Sequence, residues 1–154
     1  MKKILSILTI LLSVFIIISC SSSDRDDTPE YIEVNSFDKE VQGTWYSKSP
    51  IGNSTVNMKF IQSGSDAILS LDYGNEKYSG KVYVKNTSRS KSGYNVSYHG
   101  QGIIYFKLPN KNEYSSISIE PSPSAPISDV VKLVTIENFS SFTIKTDFNF
   151  IARN

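Results

Sequence analysis

Cysteine is almost absent from this chain: Cys20 is the only one in 154 residues. A lone thiol forms no internal disulfide, so a disulfide-stapled framework is excluded. Histidine is as scarce. His99 is the single copy, and without cysteine partners it falls short of the three or four N or S ligands that zinc takes. It also has no evident nucleophile to activate. A charge excess is missing too, with 16 basic against 15 acidic residues, which gives no reason to expect nucleic acid or an anionic surface as partner. There is no glycine-rich phosphate loop, no metal-ligand spacing and no repeat of fixed period. The carboxylates Asp66, Asp72, Glu76, Glu113, Glu120, Asp129, Glu137 and Asp147 are scattered; a hydrolytic pair is a matter of spatial separation, and nothing in this spacing favours one. These absences lead to the expectation of a non-enzyme with no metal and no cofactor.

What is present begins at the N-terminus. Lys2 and Lys3 precede an uncharged run from Ile4 to Ile18. At about 1.5 Å per residue a helix over those residues spans roughly 22 Å, short of a hydrocarbon core of ~30 Å. A basic start and a short apolar run read as a signal peptide rather than a permanent membrane span. The run closes on Ile17-Ile18-Ser19-Cys20, which resembles the lipobox of bacterial lipoproteins. The resemblance implies cleavage after residue 19, diacylglycerol on the Cys20 thiol and acylation of the new amine. It also supplies a role for an otherwise unpaired thiol. One acyl chain attaches a protein only marginally, whereas two or more hold it stably. Ser21-Ser22-Ser23-Asp24-Arg25-Asp26-Asp27 follows. It resembles the acidic export signal of Bacteroidetes lipoproteins, and such a composition also keeps a tether solvated. The expected layout is a leader over residues 1–19, a tether over 20–37 and one domain over 38–154. That domain would sit at the outer membrane, as a monomer, held by the lipid on Cys20.

The mature chain loses Lys2 and Lys3, which leaves 14 basic and 15 acidic residues and a charge of −1. It is rich in Tyr and Phe and shows no convincing helix. Residues 37–41 read as one short turn. Beyond them apolar and polar residues alternate with period two, the signature of half-buried strands. Strands are expected at Gly43–Ser47, Thr55–Gln62, Ala67–Tyr73, Tyr78–Lys85, Tyr94–His99, Ile103–Leu108, Tyr114–Glu120 and Val130–Ile136. A last one starts near Phe142, with Phe142, Ile144, Phe148 and Phe150 on one face and the alternation broken at Ile151. Ile103–Leu108 is nearly all apolar and reads as covered on both faces. The links are short turns, apart from the proline-rich stretch Pro121–Pro126, so sequence neighbours should pair. The expected fold is all-β: a small antiparallel up-and-down barrel of about eight or nine strands, with a two-layer sandwich as the alternative.

Gly43-Thr44-Trp45 opens the first strand and resembles the Gly-x-Trp signature of lipocalin-like proteins. The resemblance implies that Trp45 plugs the closed end of the barrel beneath a late arginine, for which Arg153 is the candidate by position. It further implies a small apolar or amphipathic ligand in the barrel mouth, so the expected role is binding such a ligand or a structural one in the cell envelope. Strands this short can instead leave an interior filled by Phe60, Leu69, Leu71 and Phe148. Tyr73, Tyr83, Tyr98 and Tyr105 are the candidate ligand contacts, because a tyrosine at a rim stacks its ring while its hydroxyl stays wet. A fainter resemblance is to membrane-bound lysozyme inhibitors. It rests on Ala67–Leu71 with Lys77-Tyr78 and on the loop Arg89-Ser90-Lys91-Ser92-Gly93-Tyr94, and it implies an inhibitor or immunity protein acting through that loop.

Overall fold

The computed structural model describes residues 30–86 and 96–152. It is all-β. Twelve strand segments appear: β1 (Tyr31–Glu33), β2 (Ser36–Phe37), β3 (Gly43–Ser47), β4 (Val56–Ser63), β5 (Asp66–Tyr73), β6 (Glu76–Lys81), β7 (Tyr83–Lys85), β8 (Ser97–Tyr98), β9 (Gly102–Phe106), β10 (Ser115–Pro121), β11 (Val131–Glu137) and β12 (Ile144–Ala152). Ten of them form one sheet in the order β1-β7-β9-β10-β11-β12-β3-β4-β5-β6. All its pairings are antiparallel.

This order is that of an up-and-down barrel. The first and last long strands pair, with Phe150 opposite Trp45 and Phe148 opposite Ser47. Strand β6 runs straight on into β7 through Val82, so the expected strand over Tyr78–Lys85 is broken at that one residue. Its first half pairs with β5 and its second half touches β9 only at Tyr83 opposite Tyr105. A seam is left between β6 and β9, and Tyr78 fills it. Its ring packs on Phe106 with centroids 4.7 Å apart, and its hydroxyl donates to the Lys81 carbonyl at 2.6 Å. Burial pushes the Tyr78 hydroxyl up to about 12, so it stays a donor there.

Alternation puts one face of each strand inside. Val56, Met58, Phe60, Leu69, Leu71, Ile104, Phe106, Ile117, Val134, Ile136, Ile144 and Phe148 are all buried at 1% exposure or less. Each such side chain is worth roughly 1.5–3 kcal/mol on leaving water. Ile103 does not follow the expectation of cover on both faces. It is 50% exposed, because only one side of β9 meets the core. The break at Ile151 is a bulge: Phe150 and Ala152 face consecutive partners, and Ile151 between them is squeezed out to solvent. Phe142 lies before β12, half exposed, edge-on to Tyr73.

The domain starts earlier than expected. Residues 31–37 are part of the fold, not of the tether. Strand β1 extends the sheet beside β7, held by Lys81–Glu33 at 2.6 Å and Lys85–Glu30 at 3.5 Å. Val34 and Phe37 are buried. Strand β2 pairs in parallel with β8, which is all that forms of the strand expected over Tyr94–His99 within the described residues. Segments of two or three residues carry no readable period, and their apolar side chains stand among Glu30, Glu33 and Asn35. The turn expected over residues 37–41 is present, with the Asp38 carbonyl accepting from Val41 and Gln42 amides.

Candidate functional site

Chain direction sorts the strand ends into two sets. Gly43, Ser63, Asp66, Gly102, Pro121, Val131 and Ala152 lie at one end of the barrel. Ser47, Val56, Tyr73, Glu76, Phe106, Ser115, Glu137 and Ile144 lie at the other. The second end is packed. The first end holds a cavity of about 220 Å³ whose apolar walls are Trp45, Met58, Phe60, Ile119, Val134 and Phe150. Its rim carries Glu40, His99, Gln101, Asp129 and Lys132.

Trp45 is placed by its backbone approach and by two contacts. Gly43 before it takes a φ of 140°, a conformation that side chains rarely adopt. The indole Nε1 donates to the Val41 carbonyl at 3.1 Å. Phe150, its cross-strand partner, meets it edge-on with centroids 5.1 Å apart. Arg153 lies outside the described residues. The indole is buried at 6% exposure and forms one wall of the cavity.

The rim is built by the chain segment that crosses this end. Phe37 donates its amide to Gln62 Oε1 at 2.8 Å, and Gln62 Nε2 donates to the Asn35 carbonyl at 3.2 Å. The Asp38 amide donates to the Tyr98 carbonyl at 3.0 Å. Beside it, His99 Nδ1 lies 2.5 Å from Asp38 Oδ2. Gly100 closes the corner. Its φ is +77°, and a Cβ there would stand 2.6 Å from Val41 Cγ2, so only glycine fits. His99 is exposed and stands at the cavity rim.

Lys132 escaped notice in the sequence. It shares a face with Val134 and Ile136, so alternation along β11 turns it inward, and two steps back from Ile136 would have found it. Its side chain is 15% exposed, and its ammonium lies 3.9 Å from the fully exposed Asp129 carboxylate. The cavity therefore has an apolar body and one inward cation near its opening.

None of Tyr73, Tyr83, Tyr98 and Tyr105 lines this cavity, and the four do not converge. Tyr73 donates to the Ile51 carbonyl at 2.9 Å. Tyr98 is buried between Phe37 and Phe60 and donates to the Gly102 carbonyl at 3.4 Å; burial raises its hydroxyl pKa. Both are structural. Tyr83 and Tyr105 do meet, facing each other across β7 and β9 on the outside of the sheet. Tyr31 and Tyr114 join them there. Tyr31 stacks on Tyr114 at 4.0 Å and meets Tyr105 edge-on at 5.1 Å, and Tyr83 meets Tyr114 edge-on at 5.6 Å. Their hydroxyls, unlike those of Tyr73, Tyr78 and Tyr98, bond no other group among the described residues.

Cys20 and the loop from Arg89 to Tyr94 lie outside the described residues. Among the described residues no three His, Cys, Asp or Glu side chains converge as a metal site, and no helix is long and apolar enough to cross a membrane. Compared with family models, curated proteins and solved structures, the chain matches none.

Proposed function

We propose that this chain is a bacterial lipoprotein of the Bacteroidetes type, tethered to the outer membrane through lipid on Cys20. Its lipocalin-like domain binds a small apolar or amphipathic ligand in the cavity beside Trp45. On this reading the protein is a binder, not an enzyme. The observation that supports it is the cavity itself: apolar walls on five strands, and a polar rim. Ligand sites are of this kind, mostly apolar with a few placed polar groups. An apolar cavity of about 150 Å³ takes benzene. One of about 220 Å³ suits a molecule of roughly ten non-hydrogen atoms. The inward Lys132 favours one with an acceptor at its outer end.

Trp45 is the only tryptophan and forms one wall, so its emission reports occupancy. Titrating the chain from Ser21 onward with octan-1-ol and 1-naphthol is expected to shift Trp45 emission saturably. Val134→Phe, which adds volume into the cavity, abolishes the shift while the protein stays folded. Emission that ignores both compounds removes the binding reading. The anchor is tested separately. Cys20→Ser leaves uncleaved precursor and frees the protein from lipid attachment; metabolic labelling with palmitate that persists in this variant refutes the lipobox.

A further inference from the structure

The tyrosine cluster on the outer sheet face is remote from the Trp45 cavity in both position and chemistry. Beside it the surface forms an open concavity of about 550 Å³ bordered by Tyr31, Tyr105, Tyr114, Asn112, Glu113 and Glu137. A solvent-facing strand surface is ordinarily polar, and four mutually packed tyrosines on one are a departure from that. They are not needed to complete the core, since Ile104, Phe106 and Ile117 cover the other face of the same strands. Their hydroxyls make no bond to other described groups, and a phenol hydroxyl can act as both donor and acceptor. Asn112 adds a further donor and acceptor, and Glu113 adds acceptors. Neither engages another side chain among the described residues.

We infer that this concavity is a binding site for a neutral glycan. A pyranose ring presents an apolar C–H face and a periphery of hydroxyls. Phenol rings match the first, and the hydroxyls, amide and carboxylates match the second. The charge argues for neutral over acidic sugars. Glu30, Glu113 and Glu137 all border the site. The nearby cations are engaged: Lys85 with Glu30, Lys107 over the Tyr114 ring at 5.5 Å, and Lys111 with the Asn138 and Phe139 carbonyls. Three carboxylates against three ammoniums leave the border close to balance, so no net positive charge draws an acidic glycan there. The concavity is shallow and open, which suits an internal stretch of a chain rather than a buried monosaccharide.

The test uses the full-length protein in a sugar-free detergent and isothermal titration with maltohexaose, cellohexaose, chitohexaose and hexagalacturonate. At least one neutral hexasaccharide is expected to bind, and hexagalacturonate to bind more weakly than it. Tyr105→Ala lowers the affinity by about tenfold, the loss of one aromatic contact. Tyr105→Phe keeps the ring and most of the affinity. Phe150→Ala, in the cavity, leaves it unchanged. Glu113→Ala alters an exposed loop residue with no described partner, so it tests the site without testing the fold, and it weakens binding several-fold. The inference is overturned if no neutral hexasaccharide binds, if hexagalacturonate binds as tightly as the best of them, or if Tyr105→Ala and Glu113→Ala both keep full affinity.

Discussion

The two ends of the barrel are made from the same strands and differ in how they are closed. At the far end the links β3–β4, β5–β6, β9–β10 and β11–β12 turn back, and they close it with side chains of their own such as Phe139. The side chains just inside those turns meet in one layer: Val56, Leu71, Phe106, Ile117, Ile136, Phe139 and Ile144, none more than 3% exposed. Lys111 and Ser115 reach across to the Asn138 carbonyl, which pins one turn to its neighbour. At the Trp45 end β4 turns into β5 in two residues, and the other links are arranged differently. The segment before β3 arches over the opening, and the link from Pro121 to Val131 meets it only at Asp129 and Val130. Backbone that arches must satisfy its own hydrogen bonds, and it does so through Gln62, Val96 and Tyr98. It sends Val34, Phe37 and Val41 inward, and the space they leave beside Trp45 is the cavity. Which end of such a barrel can take a ligand therefore depends on the links rather than on the strands.

Deleting one large ring at each end exposes that difference most strongly. Phe106→Ala removes a fully buried ring that packs on Tyr78 and Phe139. It should destabilise by about 3–5 kcal/mol, the usual cost where neighbours cannot collapse into the void. Phe150→Ala enlarges a cavity that already exists beside a partly exposed ring, and it should cost less than half as much. Urea unfolding of the two variants checks this. Equal losses would mean that the Trp45 end is packed as tightly as the other.

Gly100→Ala comes next. The new methyl would sit 2.6 Å from Val41 Cγ2 on a backbone of φ +77°. Strain and overpacking together are expected to cost about 2 kcal/mol. The strap would shift, so ligand affinity at the cavity should fall with stability. Gly64→Ala has a similar φ of +60° but nothing within 4 Å, which separates strain from crowding. If both variants lose the same stability, the close approach to Val41 is not what holds the rim.

Much of the fold was legible because long strands alternate cleanly. β4, β5, β10 and β12 show it, and pairing of neighbours followed from short turns. Gly43-Thr44-Trp45 correctly marked the start of the first long strand. The strap was not legible, since β1 and β2 are too short to show a period and resemble the polar tether before them. The tyrosines were visible but could not be sorted. A tyrosine hydroxyl bonded to a carbonyl 22 residues away, as in Tyr73, and one left to solvent, as in Tyr105, look identical in sequence. Lys132 was the opposite case: its inward side was readable from Val134 and Ile136, but a lysine in a strand reads first as the polar face. The cavity depends on where the links pass, and that is decided by tertiary packing.

The smallest effect belongs to the outer wall of the cavity end. Ser122 is buried and donates to Asp147 Oδ1 at 2.7 Å, and Ser124 donates to Oδ2 at 2.6 Å. The pair ties the proline-rich link to β12, and with it the residues leading to Asp129 and Lys132 on the rim. These two hydrogen bonds, aided by Lys48, hold the Asp147 carboxyl below its ordinary range. A folded-state pKa below the unfolded one stabilises the fold above the unfolded carboxylate value, near pH 4. That contribution fades as pH falls through the folded value. Asp147→Asn removes the titration, so its stability difference from the parent should be largest at neutral pH and shrink below about pH 4. The measurement is urea unfolding across pH 2.5–7. A difference that stays constant across that range would show that the clamp works as neutral hydrogen bonds alone. If the link shapes the rim, ligand affinity at the cavity should follow the same pH course in the parent and lose it in Asp147→Asn.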